Sequence, residues 1–325
     1  METKTVLVTG IGGNVGQGII RNLKASNYPL RILGTNTAEW SAGNHLVDEF
    51  YKAPFAFDEG YIPLIIDVVK KEKIDLIIPS TDFEIYYLSK SQSEIPCKIA
   101  CSDADTAFMY LDKYVTWTEH QKLSIPFAES YLPSAYSGQF KKAIAKPRKG
   151  RGSRGIMKDV QKVDGLNDEE YMVQEMISGK EITTAVYCKY SDREILGLIT
   201  MERTLDNGAT NYCKVIDEYD SELLKIAEKM VASYGLKGSF NIQSIVDPNG
   251  VIYPFEVNCR ISGTNSIRSG FGFNDVVYTV EELLFNKVPE QPKITKGVAY
   301  RYLADVIYPV SDGLKGNGDD TFILN

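Results

Sequence analysis

The chain has 325 residues, 43% of them hydrophobic and 24% charged, enough for a large core divided over two or three compact units. A net charge of −7 argues against non-specific nucleic-acid binding, and no apolar run reaches the roughly 18 residues of a membrane span. The short lead into the first strand has no room for a signal peptide, so the expected setting is cytoplasmic, with no nucleic acid and no membrane as partner. Five cysteines without a C-x-x-C pair and only two histidines, His45 and His120, argue against disulfide frameworks, zinc centres and histidine-based hydrolysis.

In chain order, residues 5–9, 30–35, 74–79 and 98–100 read as short apolar strands. They alternate with helices that end near residue 26 and span 61–71 and 83–90. Such βαβ alternation predicts a parallel, doubly wound α/β sheet with helices on both faces. After the first strand comes "VTGIGGNVGQG", residues 8–18, which has the strand, turn and helix-start context of a dinucleotide fingerprint. Half of that fingerprint is missing, because the second strand, "RILGTN", offers no acid before Glu39 to receive ribose hydroxyls. Tyr86-x-x-x-Lys90 is similar to the short-chain dehydrogenase pair but falls too early in the fold for that chemistry. The glycines are explained by a tight turn and close helix packing, and a nicotinamide oxidoreductase is the weakest reading.

Asp103 and Asp112 are placed to cap the next two helices, the second running to about residue 123. Strand-like stretches then dominate, at 127–131, 142–146, 155–160, 171–176, 181–187 and 194–201. An amphipathic helix over 221–234 is expected to close on Gly235 at the C′ position. Strands 239–246 and 251–258 form a hairpin around "DPNG", a last helix covers about 274–286, and the tail from residue 311 reads as loose.

Two segments carry the chemistry. "AIAKPRKGRGSRGIMK" is a strand ending in Lys146, then a basic glycine-rich loop whose free amides can wrap a polyphosphate beside the lysine charge. It is not a Walker A loop, because no helix follows. In the hairpin, Asn241 and Gln243 share one strand face, and so do Glu256 and Asn258. A two- or four-residue loop would put Asn241 opposite Glu256 and Gln243 opposite Pro254; a three-residue loop would scatter them. A carboxylate beside amide oxygens is a hard-oxygen site suited to Mg²⁺ that shares phosphate ligands, with Arg260 extending towards the same phosphates.

On these residues the chain resembles the ATP-grasp superfamily, and within it the carbamoyl-phosphate-synthase-like carboxylate-amine ligases. The resemblance implies a Rossmann-like pre-ATP-grasp domain over 1–105, linker helices and a lid subdomain over 106–175, a metal-bearing subdomain over 176–310 and a tail over 311–325. By that resemblance Lys113 and Lys146 are the nucleotide lysines, and 150–155, with Gly152, Ser153 and Gly155, is the mobile phosphate loop. It also implies that Glu175 and the backbone of Ile177 meet adenine, Glu181 meets the ribose, and Asn241 is a polar neighbour. Gln243, Glu256 and Asn258 would hold two Mg²⁺ ions, and Arg260 would steady the transferred phosphoryl group.

Two departures stand out: Cys259 replaces the usual proline of N-P-R, and the lid is short. One ATP-grasp unit excludes a complete carbamoyl phosphate synthase. The implied reaction activates a small carboxylate with ATP and passes it to an amine, with no nucleophilic side chain. For the substrates, Asp82 and Glu84 are candidates for an ammonium, Arg203 and Arg268 for a carboxylate, and Gly12, Gly13 and Asn14 for a contact across the cleft. A homodimer is compatible with this reading, and a non-ligating or kinase-like ATP-binding homologue is its main rival.

Overall fold

The computed structural model describes residues 2–150, 155–160 and 162–308, and the backbone of 322–324. Five parallel strands open the chain: β1 (Lys4–Val8), β2 (Leu30–Asn36), β3 (Glu49–Lys52), β4 (Leu76–Ile78) and β5 (Lys98–Ile99), in the order β3-β2-β1-β4-β5. Alternation along β1 sorts the layers. Val6 and Val8 pack with Ile19, Ile20 and Leu23 of α1 (Asn14–Lys24). Leu7 packs with Ile65 of α2 (Tyr61–Glu72) and with Ile85 and Leu88 of α3 (Asp82–Lys90). Both faces are covered, as a doubly wound sheet requires. Strand β3 has no counterpart in the sequence reading, because it lies on the edge of the sheet and its ends are Glu49 and Lys52, which mute the apolar signal.

The glycine loop after β1 is shaped by close packing. Gly10 takes φ +59°, and a Cβ on Gly12 would stand 2.6 Å from the Asn36 side chain. Helices α4 (Ala104–Leu111) and α5 (Lys113–Lys122) follow, capped by Asp103 and Asp112 as expected. Next, β6 (Ser130–Tyr131), β7 (Ala143–Pro147), β8 (Met157–Lys158) and β9 (Tyr171–Glu175) make a small antiparallel sheet in the order β6-β9-β7-β8. Among its described residues the one helical piece is a 3₁₀ turn at Pro133–Ala135.

The largest sheet is antiparallel. It contains β10 (Lys180–Cys188), β11 (Ile195–Asp206), β12 (Ala209–Ile216), β13 (Gly238–Val246), β14 (Ile252–Asn258) and β15 (Val298–Tyr300), ordered β14-β13-β10-β11-β12-β15. Helix α6 (Asp220–Ser233) precedes β13, and α7 (Asn265–Arg268) and α8 (Asp275–Phe285) follow β14. A separate ribbon pairs β16 (Asp305–Ile307) with β17 (Phe322–Leu324). Strand β12 escaped the sequence reading although a signal existed. Asn207 and Gly208, at φ +48° and +76°, form the two-residue turn that pairs Asp206 with Ala209.

Gly235 differs from expectation too. It does not take a positive φ and is no left-handed cap; a Cβ there would meet Asp103 Oδ2 at 1.6 Å, so the glycine lets the end of α6 touch the start of α4. One core cluster runs from Leu7 and Ile77 of the parallel sheet to Phe240, Ile242 and Val257 of the large sheet. That shared core brings the C-terminal end of β4 against the C-terminal end of β14. No helix among the described residues is long and apolar enough to cross a membrane.

Candidate functional site

The hairpin of β13 and β14 turns on Asp247-Pro-Asn-Gly250. Asp247 Oδ1 accepts from the amides of Asn249 and Val251 at 2.9 and 2.8 Å, Gly250 takes φ +84°, and Asp247 N donates to Val251 O at 3.0 Å across a three-residue loop. An odd loop of this kind would turn Gln243 and Glu256 to opposite faces. A bulge reverses the inversion: Ser244 pairs with Pro254, but Gln243 pairs with Glu256 and Asn241 with Asn258, leaving Phe255 as the extra residue. The expected pairs, Asn241 with Glu256 and Gln243 with Pro254, are therefore corrected by a shift of register. The shared facing survives because one odd loop and one bulge cancel.

The polar groups meet directly. Gln243 Nε2 donates to Asn258 Oδ1 at 2.9 Å, and Asn258 Nδ2 donates to Glu256 Oε1 at 3.1 Å. Asn241 lies beneath them, 1% exposed, accepting from Thr183 Oγ1 and Ser262 Oγ, and supports the cluster from within the core.

The bulge also serves Lys146. Freed from the ladder, the Phe255 carbonyl accepts from Lys146 Nζ at 3.1 Å, and Gln174 Oε1 of β9 accepts from the same ammonium at 2.8 Å. Burial pushes the Lys146 pKa down to about 7, against the pull of Glu256 and with help from the Lys113 charge. Lys113, the first residue of α5, stands 3.8 Å from Glu256 Oε1 and donates to Gly150 O at 3.2 Å. Burial alone would raise the Glu256 carboxyl; Lys113, Lys146 and Asn258 outweigh it and hold the group below its ordinary range.

These groups line part of a cleft of about 720 Å³, within the range of small-molecule sites. Ile144, Met176, Ile177 and Ile245 add apolar walls, with Glu175 and Glu181 alongside. Arg203 Nε and Nη2 both bond Glu181 Oε1, at 2.9 and 2.7 Å, and Nη2 reaches Gln243 Oε1 at 2.6 Å. Arg203 is thus tied to two cleft residues.

Arg268 is a second correction. It is fully buried, bonded twice to Asp275 and through Nη1 to Ser262 and Thr264 at 2.8 Å each, so it reaches no cleft. Glu84 is a third. It accepts from Thr81 Oγ1 at 2.9 Å and from the Tyr61 hydroxyl at 3.3 Å, burial raises its carboxyl, and it belongs to the first turn of α3. Asp82 does reach the site: it accepts from Arg260 Nη2 at 2.7 Å and from Asn258 Nδ2 at 3.5 Å.

Gly12 and Gly13 lead into α1, and the exposed Asn14 beside them approaches Gly263. Gly155 takes φ +73° next to Pro147, while Gly152 and Ser153 lie outside the described residues. Two working residues escaped the sequence reading. Gln174 has a usable signal, a polar side chain in phase with buried Met172 on β9. Arg148 grips Asp112 at 3.1 and 2.8 Å and Asp168 O at 2.6 Å, tying the start of α5 to the small sheet.

As a donor set, one ionised carboxylate and two amide oxygens flanked by two ammonium groups fit Mg²⁺, which accepts few protein ligands when phosphate oxygens complete its shell. Among the described residues no cluster of three His, Cys, Asp or Glu offers an all-protein cage.

Residues 111–264 match a family model described as an ATP-grasp domain, and residues 6–100 one described as a PylC-like N-terminal domain. Among solved structures, N5-carboxyaminoimidazole synthetase from Staphylococcus aureus, complexed with ADP, superposes with a TM-score of 0.72 at 13% identity, over 92% of this chain and 82% of that one. L-amino acid ligase from Bacillus licheniformis gives 0.68 at 12% identity, over 86% and 74%. Biotin carboxylase from Campylobacter jejuni gives 0.68 at 16%, over 91% and 74%. At these identities the likeness speaks for the fold. No curated protein matches the chain in sequence.

Proposed function

The chain belongs to the ATP-grasp superfamily, an ATP-grasp domain following a PylC-like N-terminal domain, and from that premise we propose that it is an ATP- and Mg²⁺-dependent ligase joining a small carboxylate to an amine through an acyl phosphate. One observation carries this reading. Lys113 and Lys146 converge on a single ionised carboxylate, Glu256, inside a cleft with apolar walls. Lys113, 11% exposed, and the buried Lys146 face one acid, and a polyphosphate beside them would favour the charged form of both; the apolar walls suit a base. The adenine would lie near Glu175 and Ile177, and the ribose at Glu181, whose orientation Arg203 holds. The ADP carried by the Staphylococcus aureus synthetase, and the ligase named from Bacillus licheniformis, support the reading.

In that reaction a substrate carboxylate oxygen attacks the γ-phosphorus, the bond to ADP breaks, and an amine then displaces phosphate from the acyl carbon. The protein contributes position and charge neutralisation, with no covalent step on a side chain. Gln243, Glu256 and Asn258 would hold the Mg²⁺, which neutralises phosphoryl charge when bound. Lys146 is held by Gln174 and Phe255 O, so its charge waits at a set place and needs no reorganisation. The test is ADP release across amino acids and small carboxylates, alone and with amines, with mass spectrometry of the product. An amide formed together with ADP is the expected result. Mg-ATP binding without any amide across the screen would favour a non-ligating homologue.

A further inference from the structure

Among the described residues one ion pair joins the parallel domain to the end of β14. Arg260 Nη2 and Asp82 Oδ2 are 2.7 Å apart, with side chains only 13% and 15% exposed. Asp82 sits at the start of α3, at the C-terminal end of β4, the edge where open parallel sheets collect ligands. Asn258 links it to the cleft, touching Asp82 at 3.5 Å and Glu256 at 3.1 Å. Arg260 is also under-used: Nη1 donates to Ile261 O at 3.2 Å, and Nε finds no acceptor among the described residues.

We propose that this pair is the acceptor site of the ligase and takes a zwitterionic α-amino acid, whose ammonium replaces Arg260 on Asp82 while its carboxylate replaces Asp82 on Arg260. The physical reason is the bookkeeping of nearly desolvated charge. Separating a sparsely exposed pair is unfavourable unless each member receives a new partner of the right sign. A simple carboxylate satisfies Arg260 and strands Asp82; a simple amine does the reverse. An amino acid satisfies both at once. It also leaves its carboxylate on an arginine whose partner Asp82 is joined through Asn258 to Glu256, on the side of the expected γ-phosphate. The same exchange makes Asp82 a positioning residue, because it holds Arg260 until a substrate with both charges arrives. The inference rests on the ligase reading for the location of the phosphates, but the opening of the pair is read by binding alone.

The test is calorimetric titration of the whole protein, with Mg²⁺ and a non-hydrolysable ATP analogue present, using the common α-amino acids and their des-amino counterparts, such as alanine against propionate and phenylalanine against 3-phenylpropionate. At least one amino acid should bind about ten to a hundred times more tightly than its counterpart, the range for a hydrogen bond between charged groups. Asp82→Asn should bring that ratio towards one, a change that a merely structural loss would not produce, since it would weaken both ligands alike. Equal affinity of the wild type for the two members of every pair, or no amino acid bound at all, overturns the proposal without recourse to any variant. A preference kept by Asp82→Asn overturns it too. Amino acid binding that depends on Asp82, with no ADP released from ATP, would sink the ligase reading and leave this one standing. ADP release driven only by carboxylates that lack an amine would do the opposite.

Discussion

Arg260 and Arg268 each hold an aspartate, Asp82 at 2.7 Å and Asp275 at 2.5 Å, and the sequence offers both as site residues. Surroundings do. The Arg268 pair is 0% exposed on both sides, and Ser239, Ser262 and Thr264 fill out its hydrogen bonds. The Arg260 pair keeps an open edge and an idle Nε, and borders the groups that face the cleft. A closed, satisfied pair can only support the fold; a partly open and under-satisfied one is available for exchange. Charge and residue type therefore say less about function than whether the partners have any reason to part.

The comparison breaks most visibly if Arg268 proves dispensable. Arg268→Met should destabilise the protein by about 3–5 kcal/mol, because Asp275 is left buried and unpaired, while ADP release per folded molecule survives; denaturant unfolding and activity assays read the two effects separately. The cleft should show the converse. Glu256→Gln or Lys146→Met should lower ATP turnover by roughly 10² to 10³, about 3–4 kcal/mol in the barrier, in a protein that still unfolds cooperatively, and near-normal turnover in either would reject the assignment.

His120 sharpens the same contrast between closed and open polar groups. It is fully buried, and burial lowers its pKa to about 4. The unfolded chain binds that proton more tightly, so stability should rise with pH between about 4 and 6.5, by at most about 3 kcal/mol. His120→Phe should flatten the slope in that window, as followed by melting temperature against pH. The smallest effect belongs to the hairpin turn: Gly250→Ala, forced into φ +84°, should lose about 1–2 kcal/mol and leave ADP release unchanged.

Much of this was legible in the sequence. The doubly wound layer follows from apolar strands such as Leu76–Ile78 alternating with amphipathic helices, and the hairpin from "DPNG" between two strand-like runs. The hairpin's facing within each strand was legible, Asn241 with Gln243 and Glu256 with Asn258, because period-two alternation puts such residues on one face of their own strand. Its pairing was not. The bulge at Phe255 has no signature in residue type, and without it the three-residue loop would have scattered the same residues. Arg268 and Glu84 were misread for a related reason: a charged side chain announces that it needs a partner and not which one.

Local pattern alone thus determined the order of elements and the facing of side chains within each hairpin strand; the shared facing across the hairpin needed the bulge at Phe255. Tertiary structure alone decided that Phe255 O and Gln174 would hold Lys146, that Asp82 would cross from the first sheet to Arg260, and that Arg268 would be sealed in. The division has a physical cause. Backbone periodicity is set by neighbours along the chain, whereas the partner of a buried charge is set by which distant segments share a core, and that sharing is a property of the packed whole.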